Sequence, residues 1–596
     1  MHGKVLGLAP ASMSIADVLV GEELTPARAV RPHAGADALA MVRASWLALA
    51  AVVLVAPFET LRPLVRLPGQ SLTSVEAVVV ACVLIVALTA WRGGIRAGGP
   101  IRLVLPQIVL GGVAIVAALA APAHVGNALR MSARLLVVAF VSATAIAVGG
   151  SAQARRRMLW VVVVSGVVVA LLTVADFAGG TTLARWFAPF RTAVAIVGTQ
   201  VRASGPFQYP TIASMYMEIA FAAGCGLLLT MREVKPRLAL VLALIILFEG
   251  IVLTFTRAGL ITAALALGLT AVAHWRQRGP DAALRALALV GLVAVVQIGT
   301  SRSAEMLMLR LTSEGQGRWF SAVFDVPSSV AIDTQRLARV PISVTNTGRA
   351  TWDSDASEPV LLSYHWVALD SDEVVAWEGE RTAFPVRVAP GQTMELAAVV
   401  GGPGRPGRFR LMWDIEQENR LWFSTEPDAA VAFSTGVVSG PVTSTVRGRG
   451  PHRIPRAEVR PGRFRLWAAA LRMVAAHPLL GVGPDNYRLL YGEYSTIVPA
   501  DPRVHSNNMY IEVLAGMGMV GAAVLLWVAV RTGRAALAAW RLGGEGAGIG
   551  AACAAIAVHG LVDSFLSFTG TYLLMAVMIG LAMAHAGDAE AHAHRV

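Results

Sequence analysis

The chain has 596 residues, 55% of them hydrophobic and 15% charged, with a mean hydropathy of +0.61. About 25% charged residues is usual in a soluble domain, so this composition excludes a soluble globular enzyme, a disordered chain and a disulfide-built secreted module. The net charge of +12 is not a nucleic-acid footprint: residues 301–464 hold 19 acidic and 18 basic residues, and the excess lies in the apolar remainder, where it sets topology and holds anionic groups.

Residues 1–37 are polar, lack the charged-apolar-small order of a cleavable signal, and read as a cytoplasmic N-terminal segment. Apolar runs of spanning length follow near 40–57, 72–91, 102–121, 132–149, 158–178, 211–230, 236–256, 258–275 and 282–300, making nine helices within 38–300. Three more, near 508–530, 547–566 and 569–587, fill 508–587 and precede a tail at 588–596. Alternate short loops carry Arg92 and Arg96, Arg155–Arg157, Arg232 with Lys235 and Arg237, Arg276 and Arg278, and Arg531, Arg534 and Arg541. The positive-inside rule makes those loops and both termini cytoplasmic, so 179–210 and 301–507 face outward. Cys82, Cys225 and Cys553 all lie in apolar stretches and supply neither a disulfide framework nor a metal site.

The insert at 301–464 has a different texture. Around 320–440 short alternating runs (Val340–Val344, Val360–Val367, Phe409–Trp413) are separated by turn formers such as Asn346-Thr347-Gly348 and Pro390-Gly391. This spacing predicts an extracytoplasmic all-β sandwich of immunoglobulin type, with Trp352, Trp366, Trp377, Trp413 and Trp422 in its core or lining a sugar-binding face; core is the better reading for most. Residues 441–462 read as a linker, and 465–507 as an outer amphipathic helix and loop. The fold class is therefore a polytopic α-helical membrane protein of about twelve transmembrane helices with an inserted β domain.

Four residues converge at one membrane boundary in this topology. Arg202 precedes the sixth span, Arg257 sits in the tight turn Thr254-Phe-Thr-Arg257, His505 precedes the tenth span and Asp563 lies near the end of the eleventh. A charge between two spans with almost no loop is a functional candidate by default. A snorkelling anchor is the plain alternative for Arg257, weakened because anchoring arginines favour the inner side. A solvated loop residue is the plain alternative for Arg202 and His505. For Asp563 and Glu249 the better reading is a group satisfied between helices. Arg463 and Arg472 on the amphipathic segment suit lipid phosphate or simple anchoring, and His477 is a reserve base. Asp353-Ser-Asp355 and Asp370-Ser-Asp372 fall at turns of the β insert, where Asp and Ser are ordinary. No metal-ligand spacing and no phosphate-cradling glycine loop is present, so no metal and no cofactor is expected.

Together Arg202-Ala-Ser-Gly-Pro-Phe-Gln-Tyr-Pro-Thr211, Thr256-Arg-Ala-Gly259, His477-Pro-Leu-Leu-Gly-Val-Gly483 and His505-Ser-Asn-Asn-Met-Tyr-Ile-Glu512 with Gly516-Met-Gly518 resemble the O-antigen ligase and polymerase superfamily of bacteria. The resemblance covers about 190–300 and 463–587. It implies a glycosyltransferase of the inner membrane that moves a glycan from undecaprenyl pyrophosphate to a glycan or lipid acceptor hydroxyl on the outer side, without metal. It also implies essential roles for Arg202 and Arg257 and a catalytic one for His505, with Asn507 and Asn508 beside the substrate. Many members have His-x-His-Asn where this chain has His505-Ser-Asn507-Asn508, so Asn507 cannot serve as a base.

The chemistry agrees with that picture. Cleaving the anomeric bond puts negative charge on pyrophosphate, which arginine forks stabilise, and a histidine base assists the attacking hydroxyl. Ligase and polymerase share this leaving-group chemistry and are not separated by it. A lipid-glycan transporter would need mid-membrane charges and two related halves, and a non-enzymatic scaffold would leave Arg257 and His505 dispensable.

Overall fold

The computed structural model describes residues 36–593 except 68–69, 96–97, 180–182, 184–185, 192–193, 302–303, 313–317, 357, 419, 427–428, 444–450, 456–460 and 498–499. Nearly all of the expected N-terminal segment, Arg96 and the last residues of the tail lie outside the described residues. The chain divides into two compact units. A helical unit contains the residues up to Ala195, Arg202–Ala304 and Gly462 onward; a β unit contains Ile196–Val201 and Glu305–Pro461.

The helical unit opens with α1 (Ala36–Val55), the short hairpin β1 (Val65–Leu67) and β2 (Gln70–Leu72), and α2 (Ser74–Trp91). Next come α3 (Gly98–Leu103), α4 (Leu105–Leu119), α5 (Val125–Val148) and α6 (Ala152–Ala178), followed by a second hairpin, β3 (Ala195–Val197) with β4 (Gln200–Arg202), most of which belongs to the β unit. Then α7 (Pro210–Leu228), α8 (Val234–Leu253), α9 (Arg257–Arg278) and α10 (Ala282–Thr300) lead to the insert. After it come α12 (Arg463–Ala476), α13 (Tyr487–Ser495), α14 (Met509–Leu542), α15 (Glu545–His559) and α16 (Thr569–Ala593), with α11 (Ala304–Thr312) lying at the insert's start. Among the described residues nine helices are long and apolar enough to cross a membrane, and three shorter apolar helices coincide with the remaining expected spans. The protein is thus a polytopic helical membrane protein with an inserted β domain.

Local chemistry sets the helix starts. Thr73 and Glu76 form a capping box on α2, while the side chains of Ser151 and Asp281 cap α6 and α10. Small residues set the packing. Helix α7 is buried on nearly all sides, and Gly226 meets Gly548 of α15 so closely that a Cβ on either would fall 2.6 Å from the other's backbone.

Helix α14 is not one straight span. Gly518 (φ 62°, ψ −163°) breaks it, and a Cβ there would fall 2.3 Å from the Leu479 carbonyl. The segment His477–Gly483 supplies the missing backbone partners. Pro478 and Leu479 carbonyls accept from Met519 and Val520 N–H at 2.8 and 3.2 Å, while Val482 and Gly483 N–H donate to Ala515 and Gly516 carbonyls at 3.0 and 2.9 Å. Irregular backbone at this depth is tolerated because it is satisfied within the protein.

In the β unit, β5 (Ala322–Asp325), β6 (Ser329–Asp333), β7 (Ala338–Asn346), β8 (Val360–Ala368), β9 (Val374–Ala376), β10 (Thr382–Ala383), β11 (Thr393–Val400), β12 (Gly407–Gln417), β13 (Leu421–Trp422) and β14 (Ala432–Ser439) form two sheets. One runs β10-β8-β12-β14-β6, with β9 on β8 and β13 on β12; the other runs β11-β7-β5. Residues of both sheets share one core, in which Trp352, Trp366 and Trp413 are fully sealed. Trp377 and Trp422 lie elsewhere. Trp377 stacks on His365 at 3.6 Å and Trp422 meets the same ring edge-on, on the opposite face of the larger sheet.

Candidate functional site

The first half of the site is a turn. Helix α8 ends at Leu253, and Thr254-Phe255-Thr256, with Phe255 at φ 50°, reverses the chain into α9, whose first residue is Arg257. Arg202, at the end of β4, reaches the same turn. Its Nε donates to the Thr254 carbonyl at 3.0 Å and its guanidinium to Thr256 Oγ1 at 3.4 Å, while Ala203 N–H donates to the Leu253 carbonyl at 3.0 Å. The two expected arginines therefore share one turn, and both are half-buried.

A buried ion pair holds this strand end. Arg191 donates to both oxygens of Asp176 at 2.5 and 2.6 Å and to Ser204 Oγ at 2.8 Å. Asp176 also accepts from Ser204 and Gly205 N–H at 3.0 and 3.1 Å. Every oxygen is satisfied, which is the condition under which a buried pair is tolerated.

The second half is the loop before α14. His505 Nδ1 lies 2.6 Å from Glu512 Oε1, and Ser506 Oγ donates to Glu512 Oε2 at 3.1 Å. Trp467 Nε1 donates to the Ser506 carbonyl at 3.0 Å, and the Phe568 ring meets His505 edge-on at 5.9 Å. With Nδ1 engaged, Nε2 is the nitrogen left to face a substrate. Burial pulls the His505 pKa down, but the Glu512 carboxylate overrides it, with Asp485 adding and Arg488 opposing, so the pKa lies above the ordinary 6.5. Asp485 in turn accepts from Arg488 at 2.9 and 3.0 Å and from Asn127 of α5 at 3.1 Å.

Asp485, His505 and Glu512 bring their ligand atoms within 4.8 Å of one another, a spacing that suits a divalent cation. Each is already partnered inside the protein: Glu512 by His505 and Ser506, Asp485 by Arg488 and Asn127. A cation would have to displace these bonds.

The other expected residues separate into engaged and peripheral ones. Asn508 is the cap of α14: its Oδ1 accepts from Tyr510 and Ile511 N–H at 3.0 Å each and its Nδ2 donates to the Leu561 carbonyl at 2.9 Å. Asn507 stands in the left-handed region at φ 52° beside His505. Arg472 donates to the Tyr494 carbonyl at 2.5 Å and Arg465 to the Ser495 carbonyl at 3.1 Å, so these cations fasten α12 to the end of α13. His477 closes α12 and begins the segment packed on the α14 break. Arg463 is exposed at the start of α12 and within electrostatic reach of His559. Asp563 caps its own turn through Ser564 N–H at 2.8 Å, and its carbonyl accepts from Met509 N–H at 3.2 Å. Glu249 accepts from Gln297 at 3.1 Å between helices.

Glu512, the Asp176–Arg191 pair and two charges inside spans stand out only in the folded chain. Glu218 of α7 is completely buried against His559. Arg134 of α5 has an Nε that is buried and has no hydrogen-bond partner, near Glu59, whose pKa is raised by burial despite Thr569 and Arg134. A lone charge in an apolar run is the signal that would have found Glu218 and Arg134.

No curated protein matches the chain. Residues 431–526 match the family model described as O-antigen ligase (Wzy_C), a stretch that includes α12, α13, the His505 loop, Glu512 and the break at Gly518. On that segment the chain is similar to the O-antigen ligase superfamily, as the motifs around His477 and His505 lead one to expect.

Proposed function

We propose that the protein is a membrane glycosyltransferase of O-antigen ligase or polymerase type. It takes a glycan from undecaprenyl pyrophosphate and passes it to an acceptor hydroxyl on the outer side of the bacterial inner membrane, with both termini cytoplasmic and the β unit extracytoplasmic. The observation that carries the reading is the meeting of Arg202 and Arg257 on one turn. Two guanidinium forks there suit a leaving pyrophosphate, whose developing charge needs fixed cations in a site without a metal. His505 takes the proton of the attacking hydroxyl through Nε2, and Glu512 holds its ring and stabilises the imidazolium. Direct attack inverts the anomeric centre; product with the donor's configuration refutes that step.

The test is glycan profiling of a deletion strain complemented with wild type, Arg257→Ala or His505→Ala at matched membrane levels. Wild type restores the surface glycan and Arg257→Ala does not. Single repeats still attached to the surface acceptor in the deletion strain identify a polymerase; long chains stranded on the lipid carrier identify a ligase. Full restoration by Arg257→Ala defeats the reading.

A further inference from the structure

Between the arginine turn and the histidine loop lies a group that the chemistry above leaves unused. His559 Nδ1 sits 3.0 and 2.9 Å from the two oxygens of Glu218, and Thr262 Oγ1 donates to the same carboxylate at 2.5 Å. Glu218 and Thr262 have no exposure and His559 has 1%. His559 Nε2 is buried without a hydrogen-bond partner, and its ring meets Phe565 edge-on at 5.8 Å. An unpaired buried nitrogen costs stability, and replacing a buried charged pair by packed apolar groups is often neutral or stabilising. Stability alone does not account for the trio.

Each member leads to one part of the site. Thr262 lies on α9 five residues beyond Arg257. Between them Gly259 packs so tightly on α7 that a Cβ would fall 1.8 Å from Ser214 Oγ, one helical turn before Glu218. Helix α9 is thus fixed on α7 at the arginine end. His559 ends α15, and the turn it begins supplies carbonyls to the start of α14. Gly560 and Asp563 carbonyls accept from Met509 N–H at 2.8 and 3.2 Å, and the Leu561 carbonyl accepts from Asn508 Nδ2 at 2.9 Å. That first turn of α14 carries Glu512, which holds His505. A continuous run of hydrogen bonds and short helical segments therefore joins Arg257 to His505 through Glu218 and His559. Asp563 and Arg463 are the other charged groups that act on His559.

We propose that Glu218 and His559 are positioning residues. They set the separation between the cations that receive the leaving group and the base that takes the proton, and they touch no substrate. This rests on the transfer reading. A misplacement of about 1 Å between reacting groups costs roughly 10²-fold in rate, so loss of the pair lowers kcat and leaves the affinity for undecaprenyl pyrophosphate unchanged.

The experiment uses the full-length protein with lipid-linked glycan and acceptor extracted from a deletion strain, and undecaprenyl pyrophosphate as the binding probe. The Glu218→Met/His559→Leu double variant is expected to melt no lower than wild type, to bind the probe equally well, and to lose about 10²-fold in kcat. Wild-type kcat in a folded double variant overturns the proposal, because a merely structural pair behaves that way. If the double variant does not fold, two single variants decide. Asn at 559 puts its amide nitrogen where Nδ1 lies and Gln puts it one bond further, so His559→Asn is expected to keep most of the rate and His559→Gln to lose it; equal rates overturn the proposal. Wild type and Arg257→Ala run alongside. An active wild type with an inactive Arg257→Ala and a fully active double variant rejects only the positioning role. No transfer by wild type rejects the transferase reading itself.

Discussion

Replacing Glu512 by Gln isolates the carboxylate that faces His505. The contact is short, 2.6 Å between Nδ1 and Oε1, and both side chains are largely buried at 14% and 9% exposure. The amide still accepts a hydrogen bond, so the ring stays oriented, but the bond changes from charge-assisted to neutral. Such bonds contribute about 1.5–3 kcal/mol when charged and about 0.5–1.5 when neutral, so the imidazolium formed during proton transfer loses roughly 1–1.5 kcal/mol. That is about a 5- to 13-fold loss in the pH-independent rate. The pH profile carries the sign. His505 works as a base only when deprotonated, and Glu512 favours its protonated form, so wild-type kcat/KM rises with pH through an acid limb above 6.5. Without the carboxylate the proton leaves more easily, and the limb moves to lower pH. The assay is initial-rate transfer across pH 5–9 with purified protein and lipid-linked donor. An acid limb that stays in place, or a Glu512→Gln rate equal to wild type, refutes the assignment of His505 as a base tuned by Glu512.

Further outcomes follow from the same geometry. Arg257→Ala should lower kcat/KM by about 10²–10³-fold, and Arg257→Lys should recover only part because it keeps the charge and loses the planar fork, as read by steady-state transfer. Gly518→Ala should destabilise the helical unit by more than about 1 kcal/mol, seen as a lower melting temperature, because a side chain there meets the Leu479 carbonyl and the φ of 62° is strained. Asp176→Asn leaves Arg191 buried with an uncompensated charge and should cost about 3–5 kcal/mol in unfolding, with Arg202 loosened as a consequence. Chelation by EDTA should leave transfer unchanged, since Asp485, His505 and Glu512 are already paired with protein groups; inhibition reversed by a divalent cation would show that they hold a metal.

Much of this protein was legible in the linear chain because a bilayer imposes long-range order on composition. Apolar runs of spanning length must be helices, since unsatisfied backbone is intolerable in hydrocarbon. Each of the twelve expected runs holds an apolar helix, though the eleventh ends at His559 and leaves Asp563 in the turn beyond it, and turn formers between alternating apolar residues marked β7, β8 and β12. Arg257 could be chosen because a cation with almost no loop around it is costly, and Arg202 because the inferred topology puts it at the same outer boundary. What Asn508 and Arg472 hold on to was not legible there. Both donate to backbone carbonyls at helix ends, and such partners lie tens of residues away in sequence, as Arg472 with Tyr494 and Asn508 with Leu561 show.

Composition and pattern along the chain were enough to show that it crosses a membrane many times, that it carries a β insert, and that Arg257 stands in a tight turn between two apolar runs. Local residue type and periodicity suffice for those conclusions. It took the folded chain to show that Arg202 reaches the turn leading into Arg257, that Glu512 holds His505, that Gly518 breaks α14 against Leu479, and that Glu218 meets His559 across 341 residues of chain. These are hydrogen bonds between elements that hydropathy treats as independent, and their partners are chosen by packing of the whole helical unit.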